Sequence, residues 1–225
     1  YAQPASDVDA TRLAERGWNL VRRPTGGRAI LHTDELTYAV TGPQDEPHLS
    51  GSVLESYRVL SSALLQVLFT LGIPAQAFPK HEGEKTPSDG NLNPVCFEVP
   101  SNYEITWSGK KLIGSAQARR KEGILQHGTL PLSGDLTRII QVLVFPDEAS
   151  RQEAAIRLSS RATTVEQVLG FTLDWQVAAT SFINSFQEVL HLELTPSNLL
   201  PQEIIRVEQL VLEKFNHPSW NEKSG

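Results

Sequence analysis

Asn93–Gly128 reads NPVCFEVPSNYEITWSGKKLIGSAQARRKEGILQHG, and its reading decides the fold. Tyr103-Glu104-Ile105-Thr106-Trp107 carries the β-branched and aromatic alternation of a strand, and Ser108-Gly109 behind it is a turn signal. Lys111 then heads the run Leu112–Gln117, and a second strand from Lys111 to about Arg119 makes the segment a predicted hairpin. The single cysteine, Cys96, stands fifteen residues before Lys111. A thiol ahead of one strand and an ammonium heading its partner can meet over one face of a sheet.

Working outward, Gly123 to Leu132 gives a further strand that carries His127 beside Gly128 and Thr129. Pro79 to Pro94, rich in Pro, Gly, Asn, Asp and charge, is expected to be an exposed loop that delivers Cys96. Nearer the N-terminus, Trp18–Val21, Ala29–His32 and Leu36–Val40 read as short strands, and Leu192–Thr195 as an edge strand near the other end. Ser52 to Leu71 has apolar residues at three- and four-residue spacing and Gly72 behind it, the pattern of a core helix. Helices are expected at Asp7–Arg16, Leu136–Val144, Asp147–Leu158, Thr164–Leu169, Asp174–Leu190 and Pro201–Phe215. A strand-rich first half and a helix-rich second half predict an α+β fold, a mixed β-sheet flanked by helices. Residues 1–225 read as a single domain, within which 134–225 is a candidate small helical subdomain.

Composition bounds the chemistry. At 225 residues, 40% hydrophobic and 20% charged, the chain can bury a substantial core. A net charge of -6, from 26 acidic and 20 basic residues, argues against a nucleic-acid or anionic-membrane footprint. One cysteine excludes internal disulfides and cysteine-only metal motifs, and it suits a reducing, cytoplasmic setting. The sequence has no methionine and starts at the bulky Tyr1, so we expect it to lack its natural N-terminus. It contains no GxxxxGK[ST], GxGxxG, HExxH or GxSxG motif, which removes the common nucleotide-binding, zinc-protease and serine-hydrolase readings.

The polar candidates each have a plain structural explanation beside the chemical one. Cys96 lies between Val95 and Phe97 and could be a small buried hydrophobe, yet a nearby Lys111 or His127 would favour its thiolate. Lys110 and Lys111 must face opposite ways on a strand, and Lys111, at the head of the apolar run, is the one expected to point inward. Arg22-Arg23-Pro24-Thr25-Gly26-Gly27-Arg28 is either a tight turn with solvated arginines or an anion site in which backbone amides approach the ligand closely. His32 and His127 are placed at strand ends beside small residues, where side chains reach a cleft. Ser115, Gln117 and Thr129 are ordinary polar strand residues on this reading.

Three ordered motifs carry a resemblance. Arg22–His32, RRPTGGRAILH, resembles the RRxxGG(G/R)AVxH motif of the lipoate-protein ligase and octanoyltransferase superfamily, whose catalytic fold is shared with biotin protein ligases. Gly109–Ala116 resembles its GRKxxGSA motif, and Gln126–Leu130 its HHGT(L/S)L strand. Cys96–Glu104 is similar to the CF(D/E)xPSxYE segment of the cysteine-dependent octanoyltransferase branch, and Gly-Gly-Arg in place of the ligases' Gly-Gly-Gly points the same way.

The resemblance implies catalytic roles for Cys96 and Lys111, and substrate binding by Arg22, Arg23, Gly26, Gly27, Arg28, His32, Gly114, Ser115, Gln117, His127, Gly128 and Thr129. The reaction it implies takes octanoyl-acyl carrier protein as donor. The acceptor would be a lysine of a lipoyl domain, on the glycine cleavage H protein or a 2-oxoacid dehydrogenase E2. The enzyme would be a cytoplasmic monomer needing neither cofactor nor metal, and would engage neither nucleic acid nor membrane. The alternative is an ATP-dependent lipoate-protein ligase that uses ATP and Mg2+ to make a lipoyl-adenylate. A scaffold that keeps the acyl pocket without chemistry is the third reading.

Overall fold

The hairpin turns set the sheet. In the computed structural model, which describes residues 3–78 and 104–222, Ser108 and Gly109 both have positive φ, 48° and 77°. That is the primed two-residue turn whose twist matches its strands, and it joins β3 (Glu104–Trp107) to β4 (Lys110–Arg120). A second tight turn leads into β5 (Gly123–Pro131), which β1 (Glu35–Gly42) flanks from outside, while β2 (Gln76–Phe78) lies beyond β3. The order is β1-β5-β4-β3-β2. The α+β class with flanking helices is as expected; within it, all the pairings between described strands are antiparallel, and an isolated parallel bridge joins Lys111 to Ala162.

One face is covered by α2 (Val53–Thr70) and α5 (Trp175–Leu190). Ser52 starts α2 with a reciprocal cap: its hydroxyl accepts from Glu55 N, and its own N–H donates to Glu55 Oε2 at 2.7 Å. Leu60, Leu64, Val67 and Leu68 then reach the sheet at helical spacing, where they pack with Ile105, Ile113, Ile124 and Leu130. Phe182 and Phe186 of α5 stack 6.1 Å apart against Tyr38 of β1. Burying each such side chain is worth roughly 1.5–3 kcal/mol.

A second core forms from Ile139, Ile140 and Leu143 together with Ala154 and Leu158 of α3 (Glu148–Arg161). Val8, Ala29, Ile30 and Leu31 pack on it. The expected Leu136–Val144 helix is a 3-10 helix over Leu136–Val142. The remaining α-helices are α1 (Ala10–Glu15), α4 (Val165–Leu169), α6 (Pro201–Leu210) and α7 (Pro218–Asn221), and a 3-10 turn, Ala5–Asp7, precedes α1. A π-helical turn, Val211–Phe215, follows α6 and ends the regular helix short of Phe215.

Three expected strands do not form. Ala29 makes only a single-residue bridge, and Ala29–Leu31 packs on the second core without a ladder to the described strands. Trp18–Val21 is not part of a strand and is exposed at Leu20 and Val21. At Leu192–Thr195 a side chain replaces the ladder, with Leu194 N donating to Gln187 Oε1 at 3.1 Å. No helix among the described residues is long and apolar enough to cross a membrane.

Candidate active site

Register sorts the strand residues onto two faces. Ile113, Ser115 and Gln117 alternate with Gly114 and Ala116, and directly opposed residues share a face. Gly114 pairs with Thr129, and Thr129 with Thr37; Ala116 pairs with His127, and His127 with Ala39. These six line the face away from α2 and α5.

Simple alternation would put Lys111 with Ser115, under the helices. A bulge prevents that: Ile105 opposes Ile113, but Thr106 opposes Lys111, so Leu112 is an extra residue on β4. Ile105 is in the helix-side core, so Glu104 and Thr106 point the other way, and Lys111 goes with them. Its ammonium donates to Glu104 Oε1 at 2.6 Å, and the residue is only 4% exposed. Thr163 N donates to the Lys111 carbonyl at 3.0 Å, anchoring this end of β4 to the chain after α3. Lys110 faces outward and donates to the Ser159 carbonyl.

Beside Gly114 lie two hollows that share Arg23, Ile30, His32 and His127 as walls. One, of about 550 Å3, sits over the sheet between Thr37, Gly114 and Thr129. The other, of about 340 Å3, is walled by apolar Leu20, Val21, Ala29 and Val8 and has Arg22, Arg23 and Arg28 at its polar side. Together they form one groove that is apolar at one end and cationic along its rim. Neither hollow is lined by Lys111.

His127, in mid-strand rather than at a strand end, stands at the junction. Its Nε2 lies 2.6 Å from the hydroxyl of Thr25, which is buried. Burial, then the charges of Arg23 and His32, push its pKa down from 6.5 to about 4, so the ring is neutral at pH 7. The Thr129 hydroxyl faces the groove, is buried, and makes no hydrogen bond among the described residues. A ligand oxygen or N–H placed there would satisfy it.

The chain folds as lipoate-protein ligases do. An archaeal bipartite lipoate-protein ligase from Thermoplasma acidophilum superposes with TM-score 0.79 over 100% of this chain and 79% of its own, at 24% identity. A lipoate-protein ligase A solved with ATP gives 0.76 at 25% identity, with 100% and 81% covered. The model for the lipoyl protein ligase A/B catalytic domain matches residues 1–187. The chain belongs to that family. Relatives named octanoyltransferase LipM include those of Bacillus cereus, 36% identical over 224 residues, and Brevibacillus brevis, 37% identical over 225. They cover 99% and 98% of this chain, which spans 81% of each of them.

In this lipoyl ligase family member the structure gathers Arg23, Gly27, Arg28, His32, Gly114, His127, Gly128 and Thr129 around the groove, with Arg22 at its edge. Ser115 and Gln117 are not brought there. Ser115 Oγ bonds the Tyr38 hydroxyl at 2.7 Å, and Gln117 bonds Ser56, Gln126 and Arg119, all on the helix-covered side. Burial pushes the Tyr38 phenol above its ordinary pKa against the pull of that Ser115 bond. The Gly26 position looks into open space, and Gly27 has φ 98°. Gly128 lies under the Tyr38 ring, where a Cβ would come within 2.6 Å of the Gly114 carbonyl oxygen. His32 pairs with Glu35. Cys96 lies outside the described residues. No group of three His, Cys, Asp or Glu side chains among the described residues is placed to hold a metal.

Sequence reasoning passes over Glu104, Thr25 and Tyr38. Glu104 stands in a strand whose signal is its alternation, and Thr25 in a loop whose signal is its glycines and arginines.

Proposed function

We propose that this protein is an acyltransferase of lipoate cofactor assembly that moves an octanoyl group from acyl carrier protein to a lysine of a lipoyl domain through a thioester on Cys96. The observation that carries the reading is the groove, an apolar slot ending in a cationic and imidazole rim beside Gly114, in a chain 36–37% identical to proteins named octanoyltransferase. Each buried methylene contributes ~0.8 kcal/mol, so the apolar end supplies several kcal/mol for an eight-carbon tail before the cost of ordering it.

The Cys96 thiolate attacks the carbonyl of the donor thioester, and the carrier's thiol leaves. The ε-amine of the acceptor lysine then attacks the new thioester, the amide forms, and Cys96 is released as thiol. Lys111, on the groove face of β4 but paired with Glu104 and outside the lining of both hollows, supplies positive charge for the developing oxyanion by exchanging that carboxylate for the substrate. Neutral His127 is able to take the proton that the attacking amine loses. The transferase route needs no cofactor. Residues 1–225 are taken as one catalytic domain, a reading that the shared core of α5 and the sheet supports over a separate unit at 134–225.

The second reading, a lipoate-protein ligase working through an adenylate, is favoured by the likeness to a ligase solved with ATP. Incubation with octanoyl carrier protein, without ATP, decides between them by intact-mass measurement. The transferase places an octanoyl adduct on the single cysteine and modifies a lipoyl domain, and Cys96→Ser does neither. Modification that appears only with free acid and ATP, or a fully active Cys96→Ala, overturns the proposal.

A further inference from the structure

Residues on the loop Arg22–Arg28 line the groove, yet this stretch belongs to no strand. Its backbone groups must therefore be satisfied elsewhere. Those of Arg22 are met from the far end of the chain, while the Arg28 carbonyl accepts from Arg23 Nη2 at 3.2 Å. Arg22 N donates to Asn221 Oδ1 at 2.8 Å, and Trp220 Nε1 donates to the Arg22 carbonyl at 2.7 Å. The Arg22 guanidinium, 9% exposed at the residue level, donates to the carbonyls of Trp220, Asn221 and Gln3.

The element that makes these bonds is braced internally. Asn221 Nδ2 donates to the Phe215 carbonyl at 2.9 Å, Phe215 meets Trp220 edge-on at 5.6 Å, and the Lys214 ammonium lies 4.6 Å from the Trp220 ring centroid. Core packing does not explain where it sits, because α6, which precedes it, buries no residue. After that exposed course the chain returns to Arg22, and Asn221 itself becomes part of the groove wall beside Arg23 and Gly27.

We propose that Trp220 and Asn221 are positioning residues for the substrate site: they hold the Arg22 backbone so that Arg23 and Arg28 are presented at the cationic rim of the groove. The identity of the ligand presented there, an acyl thioester, rests on the acyl-transfer reading; the clasp itself does not. Arg22 is the strut of this arrangement, with its guanidinium occupied by three carbonyls, and Arg23 is the arginine at the junction of both hollows.

Two variants of the full-length chain test it. Asn221→Ala removes the acceptor of the Arg22 N–H; Trp220→Phe keeps an aromatic ring but removes the donor to the Arg22 carbonyl. Residue-level amide exchange across Arg22–Arg28 should accelerate about tenfold in each, the loss of roughly one such bond. KM for octanoyl carrier protein should rise about tenfold with kcat little changed, since the severed hydrogen bonds support ground state and transition state alike. Asn221→Asp keeps the oxygen that accepts from Arg22 N but loses the Nδ2 bond to the Phe215 carbonyl, so it should recover part of the exchange protection and of KM relative to Asn221→Ala. Unchanged exchange in both variants overturns the clasp, and faster exchange with unaltered KM overturns its role in presenting the arginines. If the unaltered protein transfers no acyl group, the reaction assignment fails while the exchange measurement still decides the clasp.

Discussion

Lys111 Nζ and Glu104 Oε1 lie 2.6 Å apart across the β3–β4 pair, with the side chains 4% and 16% exposed. They meet because the extra residue Leu112 turns Lys111 to the same face as Glu104. A buried ammonium that loses such a partner is costly, and removing one member of a buried pair typically destabilises by about 3–5 kcal/mol.

Glu104→Ala should therefore lower the denaturant midpoint by an amount equivalent to about 3 kcal/mol or more. Replacing both members with apolar residues of similar volume, Glu104→Leu with Lys111→Met, should recover most of that stability. On the acyl-transfer reading the double variant folds but transfers poorly, which separates what the lysine does for the fold from what it does for the reaction. A Glu104→Ala protein within about 1 kcal/mol of the parent would show that the pair carries little of the fold's stability.

His127 makes stability depend on pH in a stated direction. Its folded pKa of about 4 lies below the ordinary 6.5, so between these values the unfolded chain binds more protons than the folded one. The contribution is fully present above pH 6.5 and is lost progressively as pH falls towards 4. Thermal unfolding from about pH 7.5 to about pH 4.5 should show a steeper loss of Tm in the parent than in His127→Gln, with the difference concentrated below the ordinary imidazole pKa. Parallel curves would show that the imidazole is not held neutral by its site.

Thr25→Val tests the partner of that ring. It keeps the shape and removes the hydroxyl 2.6 Å from Nε2 inside a buried position. The expected cost is about 1–2 kcal/mol of stability. Acyl transfer should also lose pH-independent rate, because the hydrogen bond from Thr25 that orients the ring is gone. Activity identical to the parent would mean that the Thr25 contact does not serve the chemistry.

The β3–β4 hairpin and the β5 strand are legible in the sequence because their signals are local. Alternation in Tyr103–Trp107, the turn at Ser108-Gly109 and the run after Lys111 need only near neighbours to act, and α2 shows its cap and its apolar stripe within one segment. The bulge at Leu112 has no such mark, since an unpaired residue is defined by the opposite strand. For the same reason Ser115 and Gln117, two residues apart on a strand with Gly114 and Ala116 between, are grouped by sequence with groove residues that face the other way. The Trp18–Val21 and Ala29–His32 runs have strand composition, but β5 and β4 already pair with each other, and the second core takes Ala29–Leu31. The clasp joins residues 199 apart in sequence, a distance at which no periodicity speaks.

Glycine tolerance offers a last test, because two glycines of the motifs sit in opposite surroundings. At Gly26 an added Cβ meets nothing within 4 Å and the backbone is not left-handed, so Gly26→Ala should leave the midpoint of unfolding within experimental scatter. At Gly128 a Cβ would stand 2.6 Å from the Gly114 carbonyl oxygen, 2.6 Å from Tyr38 Cε1 and 2.8 Å from Ser115 Oγ. The ring and hydroxyl can shift, but the carbonyl belongs to the neighbouring strand and moves only with it. Gly128→Ala should cost about 1–3 kcal/mol, the usual range for overpacking. It should also displace Gly114 at the groove floor, so acyl transfer falls further than stability alone explains. Gly128→Ala with parental stability would mean that the β4–β5 spacing gives way freely, and the groove would then have a softer floor than its hydrogen-bonded register implies.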